Sequence, residues 1–278
     1  MEIIKSSSAL KPINFKNPFA FVPTMGNLHE GHLSLIKFAK ENYSEVIASI
    51  FVNPLQFGKN EDFASYPKTL DKDIQLLEDL ECNYLFLPEP DFAENLEIIN
   101  PNFSDVLCGL SRPTHFHGVL TIIDKFLRLI KPNACLFGQK DYQQQLIIRD
   151  YVHRKKLRTD IISLPIVREN SGLAMSSRNN YLSKDDREYC GKIFSCIKNA
   201  GESLKTSSVK IATEQATDFL QNAGFEMDYL EILDADNLSE ITERTNKILI
   251  AVAVNYKKVR LIDNILLYNH SFLKALSG

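Results

Sequence analysis

Between residues 19 and 39 the apolar run Phe19-Ala20-Phe21-Val22 breaks at Pro23 and Gly26 and gives way to Leu33, Leu35-Ile36 and Phe38-Ala39, which have the spacing of an amphipathic helix. A buried strand that turns directly into a helix is half of a βαβ unit, so this stretch commits the chain to a layered α/β sheet. The turn itself reads Thr24-Met25-Gly26-Asn27-Leu28-His29-Glu30-Gly31-His32. Two histidines therefore stand at a helix N-terminus, where unpaired N–H groups and the positive end of the helix dipole favour a phosphate. As zinc ligands they have the wrong interval, three residues where His-Glu-x-x-His needs four, and no further ligand cluster lies nearby in sequence. A purely structural pair also accounts for them, and this segment alone leaves that open.

The alternation continues along the chain. Strand-like runs at 19–22, 46–52, 84–87, 134–137 and 161–167 interleave with helical patterns at 33–41, 70–80, 118–130 and 142–152. That order predicts parallel strands with right-handed crossovers. From Pro88 to Pro113 no period is evident, which predicts a surface excursion or an extra element. Beyond about residue 167 the character changes to a helix capped by Ser183, a helix over 209–222, and strands over 228–233, 248–254 and 259–267. Asn255-Tyr256-Lys257-Lys258 reads as the turn of an antiparallel hairpin. The expected organisation is an α/β domain over 1–167 followed by a smaller α+β domain over 168–278.

Composition narrows the function class. A net charge of −3, from 32 Lys and Arg against 35 Asp and Glu, offers no general footprint for nucleic acid. The longest apolar stretches, such as 248–254, are too short to span a bilayer, so no membrane partner is expected. The start Met1-Glu2-Ile3-Ile4-Lys5 lacks the apolar core of an export signal. Five cysteines, odd in number and without a Cys-x-x-Cys pair, predict neither a disulfide framework nor a zinc ribbon and fit a reducing cytoplasm. Cys135, inside an apolar run, reads as a small core residue.

In open parallel sheets ligands bind beyond the carboxyl ends of the strands. Polar clusters follow several predicted strands here: 24–32, then Asn53-Pro54-Leu55-Gln56-Phe57-Gly58, then Gly138-Gln139-Lys140-Asp141, then Met175-Ser176-Ser177-Arg178-Asn179. Together they predict a cleft of imidazoles, carboxamides, an ammonium, a guanidinium and hydroxyls, suited to ATP and a small acid. Plainer explanations exist for some of them. Asn53-Pro54 and Gly58 are also turn chemistry, and Ser176, Ser177 and Arg178 also read as a solvated loop. Asp141 with Gln144 reads as a capping box, and His115 and His117 as cleft or surface residues. Lys140 resists such explanations, because a cation is disfavoured at a helix start unless an anion joins it. No Gly-x-Gly-x-x-Gly, P-loop lysine motif or nucleophile elbow is present, which argues against a dehydrogenase, a P-loop enzyme and a covalent hydrolase.

At this point the motifs resemble those of the pantoate–β-alanine ligase (pantothenate synthetase) family. The segments that carry the resemblance are Pro23 to His32, Phe51 to Phe57, Tyr66-Pro67-Lys68-Thr69, His115 to Val119, Gly138 to Gln144 and Met175 to Asn179. The resemblance implies a Rossmann-like nucleotidyl-transferase sheet, a smaller C-terminal lid-like α+β domain, and a homodimer. It implies condensation of (R)-pantoate with β-alanine, using ATP with Mg²⁺, through a pantoyl adenylate, with AMP and pyrophosphate released. By motif, Met25, Gly26, Asn27, Leu28, His29, Glu30, Gly31 and His32 would bind ATP, with His32 as proton donor and His29 and Lys140 beside it in catalysis. Gly138, Gln139, Lys140, Asp141, Val167, Met175, Ser176, Ser177 and Arg178 would complete the nucleotide site. Gln56, Gln144 and Asn53 would hold pantoate and β-alanine, while the ligands of the metal are not indicated. Gln139 stands where the family commonly has Glu, a neutral group that donates as well as accepts. Other readings are a nucleotidyltransferase that ends at a dinucleotide, a synthetase-like fragment acting on tRNA, and a silent nucleotide-binding regulator.

Overall fold

The computed structural model describes residues 1–11, 13–59 and 61–268, so 269–278 of the expected second domain lie outside the described residues. In chain order the elements are β1 (Glu2–Ile4), α1 (Ser7–Leu10), β2 (Phe19–Thr24), α2 (Glu30–Asn42), β3 (Glu45–Ile50), α3 (Leu70–Asp79) and β4 (Tyr84–Phe86). Next come α4 (Cys108–Ser111), α5 (His115–Ile130), β5 (Ala134–Gly138), α6 (Tyr142–Arg154) and β6 (Asp160–Leu164). The last are α7 (Lys184–Cys190), α8 (Lys192–Ser203), α9 (Val209–Asn222), β7 (Glu226–Asp234), β8 (Lys247–Tyr256) and β9 (Val259–Tyr268). Two compact units result, one of Met1–Asp105 with Arg112–Pro165, the other of Val106–Ser111 with the described residues from Ile166 onward.

The first unit is built on a six-stranded sheet of order β1-β4-β3-β2-β5-β6, and every pairing in it is parallel. The expected α/β class is what forms. Alternation along β2 assigns its two faces. Ala20 and Val22 pack with Leu33, Ile36 and Ala39 of α2. Phe21 points the other way and meets Phe126 of α5 at 5.3 Å between ring centroids. Phe92 joins that face, 5.0 Å from Phe126 and 5.7 Å from Phe86. Each buried Phe contributes roughly 1.5–3 kcal/mol, so both faces of the central strands are anchored.

Boundaries differ from the sequence reading where side chains replace regular ladders. Helix α2 begins at Glu30 rather than at 33, because His29 caps it. Helix α5 begins at His115 rather than at 118 and buries Phe116 in its first turn. Strands β3 and β6 stop at Ile50 and Leu164. The stretch 88–113 holds α4 alone among the described elements. Part of it is pinned to α5: Lys125 Nζ donates to Phe92 O (2.5 Å) and Ile99 N donates to Thr121 Oγ1 (3.0 Å).

In the second unit β7, β8 and β9 form an antiparallel sheet in that order. Ile193, Ile197, Ala216 and Leu220 of α8 and α9 cover Ile248, Ile250, Val252 and Val254 of β8. The expected hairpin is present, tightened to a two-residue turn at Lys257-Lys258 with φ of 47° and 66°, the left-handed pair of a type I′ turn. Ser183 caps α7, its Oγ accepting from Asp186 N at 3.1 Å. Helix α8, not separated from α7 in the sequence reading, buries Ile193, Cys196, Ile197, Ala200 and Gly201. All five cysteines are buried free thiols, and Cys135 has no exposed surface. Among the described residues no helix is long and apolar enough to cross a membrane.

Candidate active site

Strand β2 pairs with β3 on one side and β5 on the other, so the strand order reverses between β2 and β5. A crevice opens beyond the carboxyl ends of strands at such a reversal. The motifs after β2 and β5 therefore meet at the fold's natural ligand position. After Thr24 the chain turns through Gly26 (φ 81°) and Asn27 (φ 49°). Asp73 of α3 holds this turn from beneath: Asn27 N donates to its Oδ2 (2.9 Å), while Leu28 N (2.8 Å) and Thr69 Oγ1 (3.1 Å) donate to its Oδ1. A Cβ at 26 would stand 3.1 Å from Asp73 Oδ2 and Ile50 Cγ2, so glycine serves both the left-handed backbone and the close approach. The sequence reading did not assign Asp73. Its signal was an acidic residue on a buried helix face, at 1% exposure.

The two histidines cap their own helix. Gly31 N donates to His29 Nδ1 (3.1 Å) and His29 N donates to His32 Nδ1 (3.4 Å). Because the donor in each bond is a backbone N–H, both Nδ1 atoms are unprotonated acceptors and each neutral ring carries its proton on Nε2. Two of the backbone amides expected to meet phosphate are thus consumed by the imidazoles, which substitute Nε2–H donors of their own. Burial is the main cause that pushes His29 down to about 3, followed by His32 and Lys140, with Asp141 opposing. Burial and then Lys140 push His32 down to about 4. The charge of Lys140, from the turn after β5, therefore reaches both rings. Asp141 makes no side-chain cap bond to α6. The expected capping box with Gln144 does not form, because a 3-10 turn over Gln139–Asp141 leads into the helix instead.

Beyond β3, Asn53 is 2% exposed and its carboxamide is occupied by its own loop and by α5. Its Nδ2 donates to Gln56 Oε1 (3.0 Å) and Gly118 O (3.1 Å), and its Oδ1 accepts from Leu55 N (3.2 Å). Gln56 Nε2 reaches Met25 Sδ at 3.1 Å, which joins this loop to the turn after β2. The carbonyl of Gln56 accepts from His115 Nδ1 (2.9 Å) and Arg112 Nη2 (3.4 Å). Arg112 is gripped in turn by both carboxylate oxygens of Glu61, each at 2.6 Å. Arg112, Glu61 and Gly118 are site-forming residues that the sequence reading did not assign. Gln144 lies on the first turn of α6. Among the described residues no group of three or more His, Cys, Asp or Glu is placed to hold a metal ion.

Within the second unit, Met175 N donates to Val167 O (3.0 Å), closing the hairpin that ends in the Ser176-Ser177-Arg178 segment. Ser176 Oγ accepts from Arg178 N at 3.3 Å. Arg168 fixes the hairpin's base, donating to both oxygens of Asp263 (2.6 and 2.9 Å) with its guanidinium 3.7 Å above the Phe194 ring.

Residues 2–266 match the family described as pantoate-beta-alanine ligase. The chain belongs to the pantoate–β-alanine ligase family. Among similar ligases, the pantothenate synthetase of Thermosipho melanesiensis is 41% identical over 280 residues, which cover 96% of this chain and 99% of that protein. The solved pantothenate synthetase of Thermus thermophilus has a TM-score of 0.90 at 33% identity, covering 95% of this chain and 99% of that one. The solved pantoate-beta-alanine ligase of Francisella tularensis, complexed with beta-gamma ATP and beta-alanine, has a TM-score of 0.79 at 36% identity, covering 96% of this chain and 97% of that one. The resemblance read from the motifs and the expected fold class both hold.

Proposed function

We propose that this ligase works in two steps. The carboxylate of (R)-pantoate attacks the α-phosphate of ATP, giving a pantoyl adenylate and pyrophosphate; β-alanine then attacks the acyl carbon, giving pantothenate and AMP. The observation that carries this reading is the pair of Nε2–H donors on His29 and His32 beside Lys140 at the strand-order reversal. Adenylation brings two anions together, and preorganised donors aimed at the phosphates offset that repulsion and stabilise the charge that develops on pyrophosphate. Neutral rings are suited to the task, because they donate a hydrogen bond without first being charged in the empty site. In this reading His32 donates to the leaving phosphates, His29 assists, and Lys140 supplies fixed positive charge. Gln56 and Gln144 hold pantoate without adding a like charge, and Asn53 acts by setting the position of Gln56.

The nucleotide roles expected of Met25 to His32, Gly138 to Asp141, Val167 and Met175 to Arg178 are kept in this proposal and rest on the resemblance. So does the homodimer, while the cytoplasmic location rests on the five cysteines, all free thiols. The F. tularensis ligase, solved with beta-gamma ATP and beta-alanine, supports those two substrates here. Mg²⁺ fits the donor set as a nucleotide-borne ion, since such ions are held by phosphates with one or two carboxylates rather than by a full protein cage. Such an ion would neutralise phosphate charge. The test is product analysis with pantoate, β-alanine and Mg-ATP. AMP and pyrophosphate are expected in equal amounts with pantothenate; ADP and inorganic phosphate would refute adenylation.

A further inference from the structure

Three imidazoles of the first unit bond to backbone groups through Nδ1, and they do not share one tautomer. His29 and His32 accept on Nδ1 and present Nε2–H. His115 does the reverse. Its Nδ1 lies 2.9 Å from the carbonyl oxygen of Gln56, which only accepts, so Nδ1 carries the proton and Nε2 keeps its lone pair. Burial and then Arg112 push this ring down to about 4, while the Gln56 carbonyl, Glu61 and Asp141 act the other way. His115 is therefore a neutral acceptor at physiological pH. It is tied to the backbone of Gln56 and lies within the field of Asp141, whose charge also reaches His29. The site thus offers two donors suited to phosphate and one acceptor that phosphate cannot use.

We propose that His115 Nε2 takes the proton that the amine of β-alanine releases as it attacks the acyl carbon. This rests on the two-step reading above and adds a residue to its second step. In that step the amine nitrogen bonds to the acyl carbon. The bond from that carbon to the AMP oxygen breaks with its electron pair left on AMP, and one N–H proton passes to His115 Nε2 and then to solvent. β-Alanine attacks as its free amine: an ammonium of pKa about 10 first leaves one proton with solvent, since a ring as weak as His115 does not take it, and only then has a lone pair to attack with. The nitrogen becomes strongly acidic only while the C–N bond forms, and a weak base held in position suffices then. The fixed Nδ1–H···O bond aims the ring and keeps the lone pair on Nε2.

The test is His115→Asn, whose amide N–H replaces the bond to Gln56 O but leaves nothing at Nε2. Pantoate-dependent exchange of pyrophosphate into ATP reports the first step, and pantothenate formation reports both. We expect exchange to stay within a few-fold of the wild type and β-alanine turnover to fall roughly 10²-fold, the usual scale for a lost general base. With hydroxylamine as acceptor the deficit should shrink to a few-fold, because its attached nitrogen is acidic enough to give its proton to water. Equal loss in exchange and turnover, equal loss with both acceptors, or unchanged β-alanine turnover would each overturn the proposal. Should the Asn variant not fold, His115→Gln, which places an amide oxygen near Nε2 that accepts a hydrogen bond but no proton, is read by the same criteria. Absence of exchange in the wild type would instead remove the adenylate reading itself.

Discussion

Replacing Gly118 by Ala tests whether the loop after β3 sets the reaction geometry. An added Cβ would lie 2.0 Å from Leu55 O, 2.2 Å from Leu55 C and 2.7 Å from Gln56 N. Contacts below 3.0 Å do not occur for a Cβ, so α5 and the Pro54–Gln56 turn must separate by about 1 Å or more. Neither neighbour is a flexible side chain. The same movement stretches the bond from Asn53 Nδ2 to Gly118 O and carries Gln56 away from Met25. Overpacking of this kind costs roughly 1–3 kcal/mol in stability, and a misplacement near 1 Å costs about 10² in rate. We expect Gly118→Ala to fold, to lose a few degrees in Tm, and to show kcat lowered about 100-fold with pantoate saturating. Gly58→Ala, whose Cβ would meet only Glu61, with Cγ at 3.7 Å, is the control and should keep its kcat within a few-fold. Steady-state kinetics and thermal melts read both. An unchanged kcat in Gly118→Ala would refute the claim that loop position governs turnover.

Other outcomes are equally specific. Asp73→Asn keeps one acceptor but turns an NH₂ toward one of the two amides of Asn27 and Leu28, so a fall of about 3 kcal/mol in urea stability is expected, together with a raised KM for ATP. His32→Ala should lower kcat by roughly 10²–10³ through loss of one preorganised donor; a change in KM alone would show uniform binding instead. Stability should decline on acidification from pH 6.5 toward 4, because the unfolded chain binds protons at His29, His32 and His115 that the folded chain refuses. His115 alone, lowered from 6.5 to about 4, accounts for about 3 kcal/mol of that decline, and its effect vanishes above pH 6.5, where the ring is neutral in both states. A denaturation midpoint flat across this range would contradict the buried neutral rings.

Much of the frame was legible because it rests on local pattern. Phe19 to Val22, Ala134 to Phe137 and the stripe Leu33, Leu35, Ile36 announce strands and helix without knowledge of their partners, and the polar clusters mark strand ends. What stayed hidden depends on contacts distant in sequence. Asp73 reveals itself only when α3 is laid under Asn27 and Leu28, 45 residues away in the case of Leu28. The need for Gly118 appears once α5 packs on Leu55. The capping role of the histidines was missed because imidazole is an uncommon N-cap, and the capping box assigned to Asp141 and Gln144 failed because a 3-10 turn preceded the helix. Tautomers lie further still from sequence, since each depends on which backbone group faces Nδ1.

The most direct measurement of the central claim is pyrophosphate exchange. Enzyme, Mg²⁺, ATP, pantoate and labelled pyrophosphate, with β-alanine omitted, should return label to ATP, because formation of the adenylate is reversible before the amine arrives. Omission of pantoate should abolish the label, and Lys140→Ala should suppress it strongly, since that charge bears on both histidines of the proposed phosphate site. Exchange that appeared only when β-alanine was present would contradict a two-step reaction and point to a concerted ternary one.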